Sequence, residues 1–261
     1  IQDRAGNLWI GSLGGGLKSF DPASGRFKHY DTGEPNVTAI YEDRHGKILI
    51  GTGNGKVYRF DLAKETFQLY WQIPGQTNGD AGDNRIQCLL KNTDGRLLVG
   101  TGKSGLYSVL PGNNETIHYP ELSHSNIRAL YRDGNGFLWV GTLYGGIDIL
   151  DPVSGKVLQR STQVRPPWSM SHQGILCFYP DHSGILWIGT GNGFNKFDVT
   201  TETFTRYEPD PDDFNTVNFA EVWRFIEDYR DPNILWVGTH GGGLDKFEKD
   251  SETFTHFVHD P

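Results

Sequence analysis

LWIGSLGGGLKSFD occupies residues 8–21, and LWVGTHGGGLDKF occupies residues 235–247. Nearly the same phrase stands at both ends of one chain. Its core recurs between them, as ILIG at 48–51, LLVG at 97–100, LWVG at 138–141 and LWIG at 186–189. The successive intervals are 40, 49, 41, 48 and 49 residues. A period of this size is that of a four-stranded propeller blade, longer than an ankyrin or tetratricopeptide unit.

Within a period the sequence breaks into four short β-like runs. In the second unit these are NVTAIYED (36–43), KILIGT (47–52), KVYRFD (56–61) and ETFQLY (65–70), here called strands a to d. β-Branched and aromatic residues fill the runs, and Gly, Asp and Asn stand where the chain must reverse. The Trp or Leu of strand b is expected to wedge one sheet against the next, because a single blade cannot bury both of its faces. The triple glycines at 14–16 and 241–243 are expected to supply positive φ and close approach at the b–c turn. No Lys-Ser/Thr follows them and a strand comes next, so they are not a phosphate loop. DGNG at 133–136 is likewise read as a plain turn, not as a calcium loop.

The resulting expectation is all-β: a single β-propeller domain over 1–261, built of four-stranded antiparallel blades. Its six visible repeat units cover approximately 1–30, 36–70, 85–119, 126–160, 175–207 and 218–257. The first lacks its inner strand, since IQD at its start aligns with YED at 41–43. The chain is therefore expected to be part of a larger propeller.

Composition narrows the function. The 261 residues include 34 Gly and 7 Trp but one Met, which suits a turn-rich β protein. A net charge of −8 with no basic stripe argues against nucleic acid. Cys88 and Cys177 fall at the same place in non-neighbouring units and are read as small buried hydrophobes, neither a bridge nor a zinc site.

The d–a connections vary most in length, being long at 71–84, 161–174 and 208–217. In a four-stranded meander they share one face with the b–c turns. Long loops on a rigid scaffold are where recognition concentrates. Trp71 and Trp168 are placed in these loops, and Tyr144 and His240 in b–c turns. Arg85, Arg128, Glu221 and Trp223 stand at or near the start of strand a. The candidate ligand-binding set is Arg85, Arg128, Tyr144, Trp168, Glu221, Trp223 and His240. Aromatic faces beside Arg and Glu suit a sugar, whose C–H groups pack on rings while its hydroxyls bond planar polar groups. No catalytic residues, metal or cofactor are assigned. No G-x-S-x-G elbow occurs, and Asp210, Asp212 and Asp213 read as a solvated run.

The pattern D-x-x-G-x-L-W-[IV]-G-[TS]-x-x-G-G, seen in DGNGFLWVGTLYGGIDILD (133–151) and DHSGILWIGTGNGFNKFD (181–198), resembles the two-component regulator propeller repeat. Units two and three depart from it with Leu49 and Leu98 in place of Trp. The resemblance implies the periplasmic sensor region of a hybrid two-component histidine kinase. It further implies an oligosaccharide ligand, additional propeller and immunoglobulin-like domains in the same chain, and a homodimer. This domain itself would not be an enzyme. Two alternatives are a propeller lyase or other glycan-active enzyme, built around His172, His240 and Glu221, and a protein-binding scaffold.

Overall fold

The computed structural model describes residues 1–75, 84–110, 115–151, 154–161, 164–165 and 168–258, the side chains of 160, 161, 164, 165, 168 and 169 excepted. The chain divides into two compact units, 1–127 and 128–261. Every sheet is an antiparallel meander with strands in chain order.

Unit 1 holds three sheets. Sheet 1 is β1 (Leu8–Ser12), β2 (Gly16–Asp21) and β3 (Arg26–Tyr30). Its inner strand is reduced to a bridge between Gln2 and Leu8. Sheet 2 is β4 (Val37–Glu42), β5 (Ile48–Thr52), β6 (Lys56–Asp61) and β7 (Thr66–Gln72). Sheet 3 is β8 (Ile86–Lys91), β9 (Leu97–Thr101), β10 (Leu106–Leu110) and β11 (Glu115–Tyr119).

Unit 2 holds three more sheets, the division falling at the start of β12. Sheet 4 is β12 (Ile127–Arg132), β13 (Leu138–Thr142), β14 (Ile147–Leu150) and β15 (Val157–Ser161). A two-stranded ribbon follows, β16 (Val164–Arg165) and β17 (Trp168–Ser169). Sheet 5 is β18 (Ile175–Pro180), β19 (Ile185–Thr190), β20 (Phe194–Asp198) and β21 (Thr203–Tyr207). Sheet 6 is β22 (Val222–Glu227), β23 (Ile234–Thr239), β24 (Leu244–Glu248) and β25 (Thr253–Phe257). The fold class is the expected one, all-β with propeller blades, the first of which lacks its inner strand.

The second strand of each sheet explains the repeated phrase. In sheets 2 and 5 its residues alternate between two neighbours, so both faces are apolar. Leu186 and Ile188 pack toward sheet 4, while Trp187 packs with Phe225, Val237 and Phe247 of sheet 6. In unit 1, Ile48 and Ile50 join Trp9 and Leu17 of sheet 1, and Leu49 joins Ile86 and Val99 of sheet 3. The Leu that replaces Trp in sheet 2 leaves this wedging role intact.

The glycine closing the phrase serves the same contact in sheets 1 to 5. At Gly189 a Cβ would lie against the Val222 carbonyl of the next sheet and 2.6 Å from Cys177 Sγ. Each complete inner strand outside sheet 4 also carries a bulge near its start, between Val37 and Ala39, Ile86 and Cys88, Ile175 and Cys177, and Val222 and Arg224. The residue inside the bulge has no register partner and turns out of the ladder.

Two expectations need correction. Trp71 is not in a loop: β7 runs on through it, and it is buried against Tyr107 with its indole N–H donating to Thr116 Oγ1 at 3.1 Å. The fourth strand is longer there than its aromatic run suggested. Cys177 is buried as expected, but Cys88 is half-buried. Each thiol lies on a carbonyl of the following strand a, Ile127 at 3.9 Å and Val222 at 3.8 Å. Burial pushes the Cys177 thiol up to about 11.

Candidate functional site

The a–b and c–d turns lie at one end of each sheet, and the b–c turns and d–a connections at the other. Three of the seven candidate residues meet at this second end of sheet 6. Trp223 is the bulged residue of β22, and the bulge turns its indole out of the sheet. His240 follows β23, and its backbone N–H donates to the Glu221 carbonyl at 2.9 Å, tying the turn to the start of the inner strand. The indole and imidazole then stack face to face, with centroids 4.4 Å apart and planes 8° from parallel. Glu221 Oε2 accepts the Trp223 indole N–H at 3.1 Å and lies 3.2 Å from His240 Nδ1. One carboxylate oxygen thus fixes both rings.

The turn beneath this platform is clamped from the preceding connection. Asn218 donates from its amide to the Gly242 carbonyl at 2.6 Å, and its backbone N–H bonds the buried Asp245 carboxylate at 2.9 Å. Phe219 packs on Gly241 and Gly242. Gly241 and Gly243 hold φ of 104° and 86°, as the triple glycine led us to expect. Asp245 also meets His256 Nδ1 at 2.8 Å, and His256 Nε2 reaches the Phe214 carbonyl at 2.8 Å. Burial works against the His256 imidazolium, but these bonds and the Asp245 charge outweigh it and raise its pKa. The platform is therefore rigidly backed yet open, with Trp223 44% exposed.

Tyr144 is exposed in the b–c turn of sheet 4, and Arg128 is half-buried on β12 of the same sheet. Arg85 is half-buried in unit 1, its carbonyl accepting the Gly102 N–H at 2.9 Å. Trp168 forms part of β17, paired with Arg165, and its side chain lies outside the described residues. His172 plugs a turn: its Nδ1 accepts the Gly174 N–H at 2.9 Å and its ring lies over Gly191. Asn36 clamps the turn of sheet 1, accepting the Gly14 N–H at 2.8 Å. Among the described residues, no three His, Cys, Asp or Glu side chains converge as a metal group would require.

The sequence reading missed a pairing at the opposite end of the sheets. In sheets 1, 4, 5 and 6 the Asp that opens the a–b turn also accepts the indole N–H of strand b. The distances are 2.7 Å for Asp3–Trp9, 3.0 Å for Asp133–Trp139, 2.9 Å for Asp181–Trp187 and 3.0 Å for Asp228–Trp236. The spacing of Asp and Trp, six residues in sheets 1, 4 and 5 and eight in sheet 6, was its visible signal.

Three segments, 33–54, 121–144 and 169–192, match the family model described as two component regulator propeller. A search of curated proteins returns no match. Among solved structures, the computationally designed Ika8 protein is similar at a TM-score of 0.60 and 14% identity, over 96% of this chain and 70% of that one. Virginiamycin B lyase from Staphylococcus aureus is similar at 0.61 and 15%, over 85% and 69%. The extracellular domain of the putative hybrid two component system BT3049 from B. thetaiotaomicron is similar at 0.41 and 23%, over 99% of this chain and 38% of that one. This chain thus spans well under half the length of that domain.

Proposed function

From the three segments that match the two-component regulator propeller family model, we propose that this chain is a ligand-sensing propeller of a two-component signalling protein, with no catalytic role of its own. Its ligand is a glycan-derived oligosaccharide, and its output passes to a histidine kinase. The same proposal places it on the extracytoplasmic side, in the periplasm. It also includes further propeller and immunoglobulin-like domains in the full protein, which acts as a homodimer.

The observation that carries the reading is the Trp223–His240 stack held by Glu221. His240 covers one face of the indole, and the other face is available to the C–H surface of a sugar ring. Glu221 uses Oε2 to hold the two rings, which leaves Oε1 to accept a hydroxyl. Bulged placement, stacking and carboxylate support fix the geometry before a ligand arrives, so little ordering entropy is spent on binding. An exposed indole held this firmly has no packing duty to explain it.

A panel of oligosaccharides tests the proposal by melting temperature and by product analysis in the same samples. A binding sugar raises the melting temperature according to its concentration relative to Kd. It emerges chemically unchanged. Trp223→Ala weakens its binding about tenfold or more, equivalent to at least ~1.4 kcal/mol. Turnover of the sugar, or undiminished binding by the variant, contradicts the proposal.

A further inference from the structure

Sheets 4, 5 and 6 share one register, so their two junctions can be compared position by position. At the junction of sheets 5 and 6, Asp181 Oδ1 accepts the backbone N–H groups of Ser183 and Ile185 at 2.9 and 3.0 Å. Its Oδ2 accepts the Trp187 indole at 2.9 Å and also Lys249 Nζ at 3.2 Å. Lys249 continues to Glu227 at 2.6 Å. Tyr207 fills the adjoining space, its ring 5.0 Å from that of Phe247 and its hydroxyl donating to Glu252 at 2.6 Å.

The junction of sheets 4 and 5 repeats the first half of this arrangement and omits the second. Asp133 Oδ1 accepts the N–H groups of Asn135 and Phe137 at 3.0 and 2.9 Å, and Oδ2 accepts the Trp139 indole at 3.0 Å. The residues in register with Lys249, Glu227 and Tyr207 are Val199, Pro180 and Ser161. A lysine and a carboxylate have become a short aliphatic group and a ring without a charge. A cavity of about 660 Å³ occupies this junction, within the range that holds small molecules. Tyr131, Phe137, Trp139 and Phe197 give it aromatic walls. Asp133, Asp181 and Glu202 line it, and no basic side chain does so among the described residues.

We propose that this cavity binds an organic cation, an ammonium on an apolar body. Its charge takes the place on Asp133 Oδ2 that Lys249 takes on Asp181, and its body lies among the aromatic walls. Aromatic faces add to the attraction for a cation withdrawn from water. The site is at the a–b and c–d turn end of the sheets, opposite to the Trp223 platform, and does not depend on the function proposed for that platform. The cation can arrive as a free amine or as a lysine side chain of a peptide.

Calorimetric titration at low salt separates these sources, with tyramine as the free amine and Gly-Lys-Gly, blocked at both ends, as the peptide. Saturable binding of tyramine alone assigns a free amine, and of the peptide alone or of both admits a lysine side chain. Binding of neither overturns the proposal. Tyrosol, the neutral analogue of tyramine, and butanol, that of the lysine side chain, mark the contribution of charge. Each is expected to bind its cavity at least about tenfold more weakly than the corresponding cation. Val199→Lys supplies the missing internal cation, and is expected to weaken binding at least about tenfold without lowering the melting temperature. Asp133→Asn is expected to weaken it similarly, but it also bears on the turn, so Val199→Lys is the deciding variant. Equal binding of the neutral analogue, or unchanged binding by a folded Val199→Lys protein, overturns the proposal.

Discussion

Single residues decide how closely the sheets approach. Gly189 and Gly238 are the same letter of the same phrase, but their surroundings differ. A Cβ on Gly189 collides with Val222 and Cys177, whereas one on Gly238 meets nothing nearer than the Arg224 carbonyl at 3.7 Å. Gly189→Ala is therefore expected to cost about 1–3 kcal/mol in urea unfolding. Gly238→Ala is expected to stay within about 0.5 kcal/mol of the parent. Equal effects would remove close approach as the reason for this glycine. His256 sets a pH dependence at the same scale. Its folded pKa lies above the ordinary value near 6.5. Its contribution to stability is full below that ordinary value and is lost as pH rises through the folded pKa. Unfolding midpoints at pH 5.5 and 8.5 should show this loss, and His256→Gln should diminish it.

At the scale of the strand and turn, much was legible beforehand. Four runs per period, the turn glycines and the wedging indoles are local patterns, and local patterns survive in sequence. Trp71 was misplaced because nothing in LYWQIPG marks where β7 stops, whereas the structure shows its indole bonded to Thr116 in the next sheet. The link from Asp181 to Trp187 escaped because each residue already had a sufficient role, as turn former and as wedge. The platform was partly legible. Glu221, Trp223 and His240 could each be placed at one end of a sheet, but their stacking depends on the bulge between Val222 and Arg224. Arg128 and Tyr144 satisfied the same placement rule but belong to sheet 4, because that rule names an end of a sheet and not a neighbour. The junction cavity was invisible for a related reason. It depends on Val199 and Pro180 standing where sheet 6 has Lys249 and Glu227.

Across the whole chain, a repeated sheet gains stability from its neighbours in series. Trp9 packs with Leu17, Val37 and Phe60 in unit 1, and Trp187 with Phe194, Val222 and Phe247 in unit 2, in clusters with no residue in common. Truncating either to Ala is expected to cost about 3–5 kcal/mol. The double variant should match the sum of the single ones within about 0.5 kcal/mol, provided unfolding remains two-state. Sheet 1 bears the apolar side chains Leu8 and Ile10 at its surface, and sheet 6 bears Ile226 and Phe257. In sheet 5, by contrast, Phe194, the counterpart of exposed Leu244, is fully buried.

The claim with most at stake is that Trp223, His240 and Glu221 form the surface on which a ligand is sensed. Side-chain NMR of the indole N–H and imidazole groups, recorded while a stabilising oligosaccharide is titrated, addresses it most directly. The account predicts that the Trp223 and His240 signals shift together and saturate with the same Kd, while the buried Trp9, Trp139 and Trp187 indoles stay in place. Saturable binding that leaves the Trp223 and His240 signals unmoved would contradict it.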